Sequence, residues 1–365
     1  MPGIERVEVT AYDVPTVAPE SDGTAEWDKT TLVVAGLRCG GETGLGYTYA
    51  DAGTAQIAHD VLASHVVGKD PFDVPLVFDA MVRAVRNHGR GGACAMAISA
   101  IDVALWDLKA KLLDHPLARL LGRVREAIPA YGSGGFTSLS VKDLESQLGG
   151  WADRGIGAVK MKVGRDPARD LDRVRAARKA IGKAELFVDA NGAYQTKQAL
   201  RLAGDFAEQG VTWFEEPVVR TDLASLRLLR RRAPMEIAGG EYGYEPSDFR
   251  VFLEEPRALD VVQADATRCG GITGFLQAAA VVESFQVPLS SHCAPALHAA
   301  LGCALPAMRH IEWFADHVRI EEMLFEGAPG PDEEGLLRPQ LDRPGLGLSL
   351  RQKEAERYRI RGAAT

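Results

Sequence analysis

From residue 128 onward, short apolar runs rich in β-branched and aromatic residues alternate with amphipathic helical stretches. The runs are IPAYGSG at 128, AVKMKVG at 158, ELFVDANG at 185, VTWFEEP at 211, MEIAGGE at 235, LDVVQADA at 259, VPLSSHC at 287 and HIEWF at 310. Eight such runs at a nearly constant interval predict a (β/α)8 barrel, a modified TIM barrel in the α/β class. Ahead of them the pattern differs. Ile4 to Val14 and Thr30 to Leu37 read as strands closed by turn signals at Gly40-Gly41 and Gly44. Between them, Thr16 to Asp28 (TVAPESDGTAEWD) reads as a long polar loop, and such a loop in a compact domain is functional or mobile. In AISAIDVALWDLKAKLL, Ile98, Ile101, Leu105, Leu108 and Leu112 are spaced as one buried helix face, closed at His115-Pro116. The expected organisation is an α+β capping domain over 1–125, a catalytic barrel over 126–322, and a segment over 323–365 that returns to the cap. In that segment PGLGLSL (Pro344 to Leu350) reads as the returning strand.

A chain of 365 residues has room for these units. Its 42 Lys+Arg against 50 Asp+Glu give a net charge of −8, which argues against a nucleic-acid partner. Ser284 to Met308 carries no charged residue and is long enough to raise the question of a membrane span, but Pro288, Pro295 and Pro306 interrupt it. Glu5, Arg6 and Glu8 stand where a signal peptide needs a basic start and an apolar run, so a cytoplasmic protein is expected. Five cysteines without a C-x-x-C pair read as small buried hydrophobes.

The chemistry lies at the ends of the runs. Lys162, Asp189, Glu215, Glu241, Asp265, His292 and Glu312 stand at or just beyond seven of them, and in a barrel the C-terminal strand ends converge on one mouth. Asp189, Glu215 and Glu241 offer only hard oxygens, which suits Mg²⁺. Glu215 is preferred to its neighbour Glu216 because a step of 26 residues separates it from both Asp189 and Glu241. Lys160 and Lys162 share one side of their strand, and two adjacent cations depress each other's pKa, which makes a usable base. Asp265 and His292, on consecutive strands, are placed to form a carboxylate–imidazole acid/base pair. Cys293 is turned away from the His292 side by strand alternation. No G-x-G-x-x-G or G-x-x-x-x-G-K-[ST] fingerprint is present.

The ordered set AISAIDVALWDLKAKLL, VKMKVG, VDANGAY, WFEEP, GGE, QADATRCGGITG, SSH and HIEW resembles the enolase superfamily, and within it the mandelate racemase subgroup, over nearly the whole chain. The resemblance implies Mg²⁺ held by Asp189, Glu215 and Glu241, and Lys162 as base with Lys160 beside it, lowering its pKa and contacting the substrate carboxylate. It implies His292 with Asp265 as acid/base on the other face, Glu312 as a hydrogen-bond donor to the enolate oxygen, and Asn191 as a substrate contact. A small-molecule carboxylate substrate and a homo-oligomer are implied as well. Abstraction of an α-proton gives an ene-diolate, from which β-elimination of water yields a 2-keto-3-deoxy acid, while reprotonation gives racemisation or epimerisation. The polar loop Thr16 to Asp28 and the tract GYTYAD (Gly46 to Asp51) favour dehydration of an acid sugar, with Trp27, Tyr47 and Tyr49 as candidate lid contacts. A non-catalytic carboxylate-binding barrel would show a broken constellation, and none of the seven positions is broken.

Overall fold

The computed structural model describes residues 3–360. Its first part is an antiparallel sheet of β1 (Arg6–Ser21), β2 (Glu26–Cys39) and β3 (Glu42–Tyr49). Helix α1 (Ala93–Leu112) packs across it. The contact is close because β3 presents glycines there: a Cβ on Gly44 or Gly46 would sit 2.1 Å from the backbone oxygens of Ala104 and Ala100. The periodic face read in the sequence, Ile98 to Leu108, is buried at this junction.

The stretch Thr16 to Asp28 is not the long loop its polarity suggests. β1 runs to Ser21 and β2 starts at Glu26, so most of it is a two-stranded ribbon ending in a tight turn. Its inward residues are polar apart from Trp27, with Ser21 buried, and so no apolar alternation marks it. Its register breaks once: Pro15 pairs with Lys29 and Glu20 with Trp27. The turn rests on the barrel rim. A Cβ on Gly23 would lie 2.4 Å from the Ala190 oxygen and 2.7 Å from the Val163 oxygen. Thr137 anchors the turn, its amide donating to the Ser21 oxygen (2.8 Å) and its hydroxyl to the Asp22 oxygen (3.0 Å).

Eight parallel strands follow: β4 (Ile128–Gly134), β5 (Ala158–Lys162), β6 (Glu185–Asp189), β7 (Val211–Glu215), β8 (Glu236–Gly239), β9 (Val261–Ala264), β10 (Leu289–Ser291) and β11 (Met308–Phe314). Pairing of β11 with β4 closes the barrel, and all eight apolar runs are its strands. The helices after them are α2 (Val141–Asp153), α3 (Asp170–Ala180), α4 (Thr196–Ala207), α5 (Leu223–Arg232), α6 (Pro246–Leu253), α7 (Gly271–Ser284), α8 (Pro295–Ala304) and α9 (Ala315–Leu324). Inside the barrel, Tyr131, Phe187, Trp213, Ala238 and Val261 form a buried plug, with Phe187 and Trp213 stacked at 5.1 Å. The plug closes the lower barrel, leaving polar side chains the upper end.

The tail departs from the expected returning strand. Only Ser349–Leu350 of that segment is extended, and it pairs with Phe325–Glu326 just after α9. The cap is reached by other contacts: the Leu346 amide donates to Asp107 Oδ1 on α1 (2.6 Å), and the Ile360 amide to the Ala11 oxygen (2.9 Å). Leu336–Leu337 pairs antiparallel with β4. Among the described residues no helix is long and apolar enough to cross a membrane, and the five cysteines are buried and joined in no disulfide.

Candidate active site

Strand register brings the site together. Lys162 is level with Asp189, and Asp189 with Glu215, so three strands deliver one row of charged side chains. Glu241 follows β8 by two residues, Asp265 immediately follows β9, and His292 immediately follows β10. The carboxylates of Asp189, Glu215 and Glu241 are buried, with ligand atoms within 4.8 Å of one another. One of their oxygens, Glu241 Oε2, is buried without a hydrogen-bond partner, although His292 Nε2 stands 3.2 Å away. An all-oxygen donor set with an orphaned buried oxygen fits Mg²⁺. Burial and then the neighbouring Asp189 push Glu215 up to about 8.

Lys160 lies below this row, fully enclosed. Its ammonium donates to both oxygens of Glu215 (2.8 and 2.7 Å) and contacts Glu312 Oε1 at 2.8 Å. Lys162 Nζ is 2.5 Å from Asp189 Oδ2. Burial disfavours both charged amines, but the carboxylates outweigh it and raise both pKa values, Glu215 and Glu312 acting on Lys160 and Asp189 on Lys162. The mutual depression expected from adjacent lysines operates on Lys162 and is the smaller effect. Positive charge added at the carboxylates would restore the intended direction, because it competes with the ammonium groups for the same oxygens.

On the other flank, His292 Nδ1 is 2.8 Å from Asp265 Oδ2. Burial opposes ionisation of Asp265, yet the bond and charge of His292 hold it at about 2. His292 itself is raised well above its usual value: burial lowers it, while the carboxylates of Glu241 and Asp265 outweigh that. With His292 protonated, the pair has the charge arrangement of a general acid held by its carboxylate.

Two expectations need correction, those for Cys293 and Tyr47. Cys293 does not point away: its Sγ is 3.3 Å from His292 Nε2 and lines the cavity, because Cys293 (φ 51°) and Ala294 (φ 40°) leave extended geometry and end the alternation. Burial pushes its thiol up to about 12, so it is a neutral wall and not a nucleophile. Glu312 accepts hydrogen bonds from Ser133 Oγ (2.6 Å) and the Cys293 amide (2.7 Å). Burial opposes its ionisation, but Lys160, His292 and Lys162 hold it far below the usual carboxylate range. Tyr47 is wholly buried, its hydroxyl donating to Glu321 Oε1 at 2.7 Å, and it does not reach the cavity.

The cavity at this mouth measures about 350 Å³. Its floor includes Lys162, Asn191, Glu241 and His292, and its roof is the cap, with Asp22, Trp27, Tyr49 and Asp51. Asn191 and Trp27 thus stand where they were expected. Sequence reasoning missed Arg268, three residues after Asp265 within the quoted QADATRCGG, whose guanidinium is 3.6 Å from Glu241 and 3.7 Å from Asp265 and lies over Tyr242. It also missed Ser133, which carries no distinguishing signal, and gave Glu216 no place. Glu216 is buried beside the cluster at φ 35° with an unpartnered oxygen.

Residues 6–122 match the mandelate racemase/muconate lactonizing enzyme N-terminal domain, and residues 143–355 match the enolase C-terminal domain-like family. The chain is 33% identical to the 3,6-anhydro-α-L-galactonate cycloisomerase of Streptomyces coelicolor, over 95% of this chain and 97% of that one. Among solved structures, a mandelate racemase/muconate lactonizing enzyme-like protein from Rubrobacter xylanophilus superposes with a TM-score of 0.96 at 51% identity, covering 98% of this chain and all of the other. The L-talarate dehydratase of Polaromonas sp. JS666, complexed with Mg and L-glucarate, superposes with a TM-score of 0.89 at 32% identity, covering 99% and 98%. Cap and barrel thus agree with these matches over nearly the whole chain, and the chain belongs to the enolase superfamily, in its mandelate racemase/muconate lactonizing enzyme branch.

Proposed function

We propose that this protein is a Mg²⁺-dependent acid-sugar dehydratase. The observation that carries the reading is a buried all-oxygen carboxylate cluster flanked along the barrel rim by Lys162 on one side and the His292–Asp265 pair on the other. Asp189, Glu215 and Glu241 would hold the ion, which supplies positive charge against the substrate carboxylate and so makes its α-proton abstractable. Lys162, as the neutral amine, takes that proton, and the C–H electron pair moves into the ene-diolate. Lys160 adds fixed charge on the same side, positioned by Glu215 and Glu312. The pair then returns to expel the β-oxygen, His292 gives it a proton from Nε2, and water leaves. The enol that remains tautomerises to a 2-keto-3-deoxy acid, so atoms balance without a redox partner. Asp265 holds the imidazolium in orientation.

The likeness to a cycloisomerase favours a second reading with the same intermediate, in which the departing β-oxygen belongs to a ring. A cytoplasmic homo-oligomer, divided into cap (1–125), barrel (126–322) and returning segment (323–365), belongs to this proposal. Supporting it are the family resemblance, the element order and five buried cysteines joined in no disulfide. Incubation with Mg²⁺ and a panel of aldonic, aldaric and anhydro-sugar acids should yield 2-keto products, abolished in Lys162→Ala. α-Proton exchange into D₂O with no keto product from any of them would mean racemisation and not elimination. Full activity of Lys162→Ala would remove the base from the mechanism.

A further inference from the structure

We infer that the substrate is a monocarboxylic sugar acid, an aldonate whose far end is a neutral polyol, and not a dicarboxylic aldarate. The inference rests on the proton-abstraction reading above, which puts the reacting carboxylate on the cavity floor beside Lys162 and His292. The rest of the substrate must then extend toward the roof, which the cap supplies.

The roof has donors, but each is already engaged by an acid or a carbonyl oxygen of the protein. The one lysine there, Lys29, is ion-paired with Asp13, whose other oxygen accepts from Thr31 Oγ1 at 2.6 Å. Thr30 Oγ1 donates to Asp316 Oδ2 (2.5 Å), a carboxylate also held by Arg319 (2.6 Å). Trp27 Nε1 donates to Glu20 Oε2 at 3.0 Å. Tyr49 stacks on His317 and turns its hydroxyl toward that residue's carbonyl oxygen (3.5 Å). On the floor, Arg268 is occupied by Glu241 and Asp265.

What the roof leaves open is acceptor capacity. Asp22 takes the Thr24 and Ala25 amides on Oδ1 alone (2.6 and 2.7 Å), and Asp51 takes the Thr54 amide on Oδ1 (3.3 Å). The second oxygens of these two carboxylates, with the lone pairs of the threonine hydroxyls, ask for hydrogen-bond donors. A polyol end brings a donor on every carbon, whereas a carboxylate brings none and adds a like charge. Two unit charges a few Å apart in water-like surroundings cost about fivefold in binding. A second carboxylate facing Asp22 and Asp51 is thus disfavoured by roughly tenfold or more.

The test compares hexonates with hexarates of the same configuration, using the Mg²⁺-loaded protein and reading kcat/KM for 2-keto acid formation alongside α-proton exchange in D₂O. Hexonates are expected to be better by about tenfold or more. Asp51→Asn keeps a good N-cap for the helix Ala52–Ile57 while removing a charge, and it should narrow the ratio mainly by lowering KM for the hexarate. Exchange with both series and equal or better turnover of hexarates overturns this inference and leaves the proton-abstraction reading standing. A ratio unchanged in both Asp51→Asn and Asp22→Asn overturns the role given to the roof acids. Neither exchange nor product with either series overturns the reading and the inference together.

Discussion

Gly23 is the point at which the cap meets the catalytic rim, and Gly23→Ala tests whether that contact serves catalysis. The added methyl would stand 2.4 Å from the Ala190 oxygen, 2.7 Å from the Val163 oxygen and 2.9 Å from Ala193 Cβ. Ala190 and Val163 directly follow Asp189 and Lys162, so the barrel backbone cannot yield without moving the site, and the turn must lift by about 1 Å to restore van der Waals separation. Such a shift strains or breaks the three hydrogen bonds that tie Ser21 and Asp22 to Thr137. At about 0.5–1.5 kcal/mol each, they amount to roughly 2–4 kcal/mol of docking energy. Drawn from the closed complex, this loss should lower kcat/KM at least about tenfold. Neither the cap sheet nor the barrel ladder is involved, so the melting temperature should move little. Gly204→Ala is the contrast: its Cβ meets nothing within 4 Å on exposed helix α4, and it should gain up to about 1 kcal/mol of stability with unchanged kinetics. Wild-type kcat/KM in Gly23→Ala would show that cap docking does not contribute to turnover.

Further outcomes follow from the same geometry. Glu241→Gln should weaken Mg²⁺ binding, measured by titration calorimetry, by roughly a hundredfold or more, since even outer-sphere partners are worth 10–100-fold; unchanged affinity would place the ion elsewhere. Tyr47→Phe should cost about 1 kcal/mol of stability, through its bond to Glu321, and leave kcat/KM unchanged; a kinetic loss would return Tyr47 to the site. Asp102, which receives the Thr273 amide and hydroxyl where α1 meets α7, is pushed up to about 7 by burial. A raised folded pKa means that the native state keeps a proton the unfolded chain has released. The stability it contributes is therefore present below about pH 4 and lost as pH rises through 7. Asp102→Asn should remove on the order of 3 kcal/mol from the stability difference between pH 5 and 8 seen by denaturant unfolding; identical pH slopes in the two proteins would refute a protonated Asp102.

The barrel was legible because a strand buried on both faces leaves a continuous apolar run, and because Lys162, Asp189 and Glu215 fall on one register row whose spacing survives in the linear sequence. Asn191 came from the family resemblance and Trp27 from the polar stretch of the cap, and both line the cavity. Other features depend on depth and neighbours, which periodicity does not encode. Tyr47 and Tyr49 share one side of β3, yet only Tyr49 is near enough to the mouth to line it. Cys293 faces His292 through two left-handed residues that no alternation rule anticipates. The charge states of Glu312 and Lys160 are set by each other across β11 and β5, strands far apart in sequence. The ribbon over Thr16 to Asp28 was illegible because its inward residues are polar apart from Trp27, so no apolar pattern betrays its pairing.

The register break in that ribbon divides labour within the molecule. Between Pro15 and Glu20 the ladder loses step with its partner, so the segment from Glu20 to Trp27 is joined to the cap sheet through an interruption and not a continuous rail. Insertions, deletions or exchanged side chains beyond the break are absorbed there without shifting the register of Arg6 to Pro15 against Lys29 to Arg38. The turn that roofs the cavity can thus vary while the register of the cap sheet stays fixed. Among proteins sharing this scaffold, the turn around Gly23 is the place to look for inherited differences in diet.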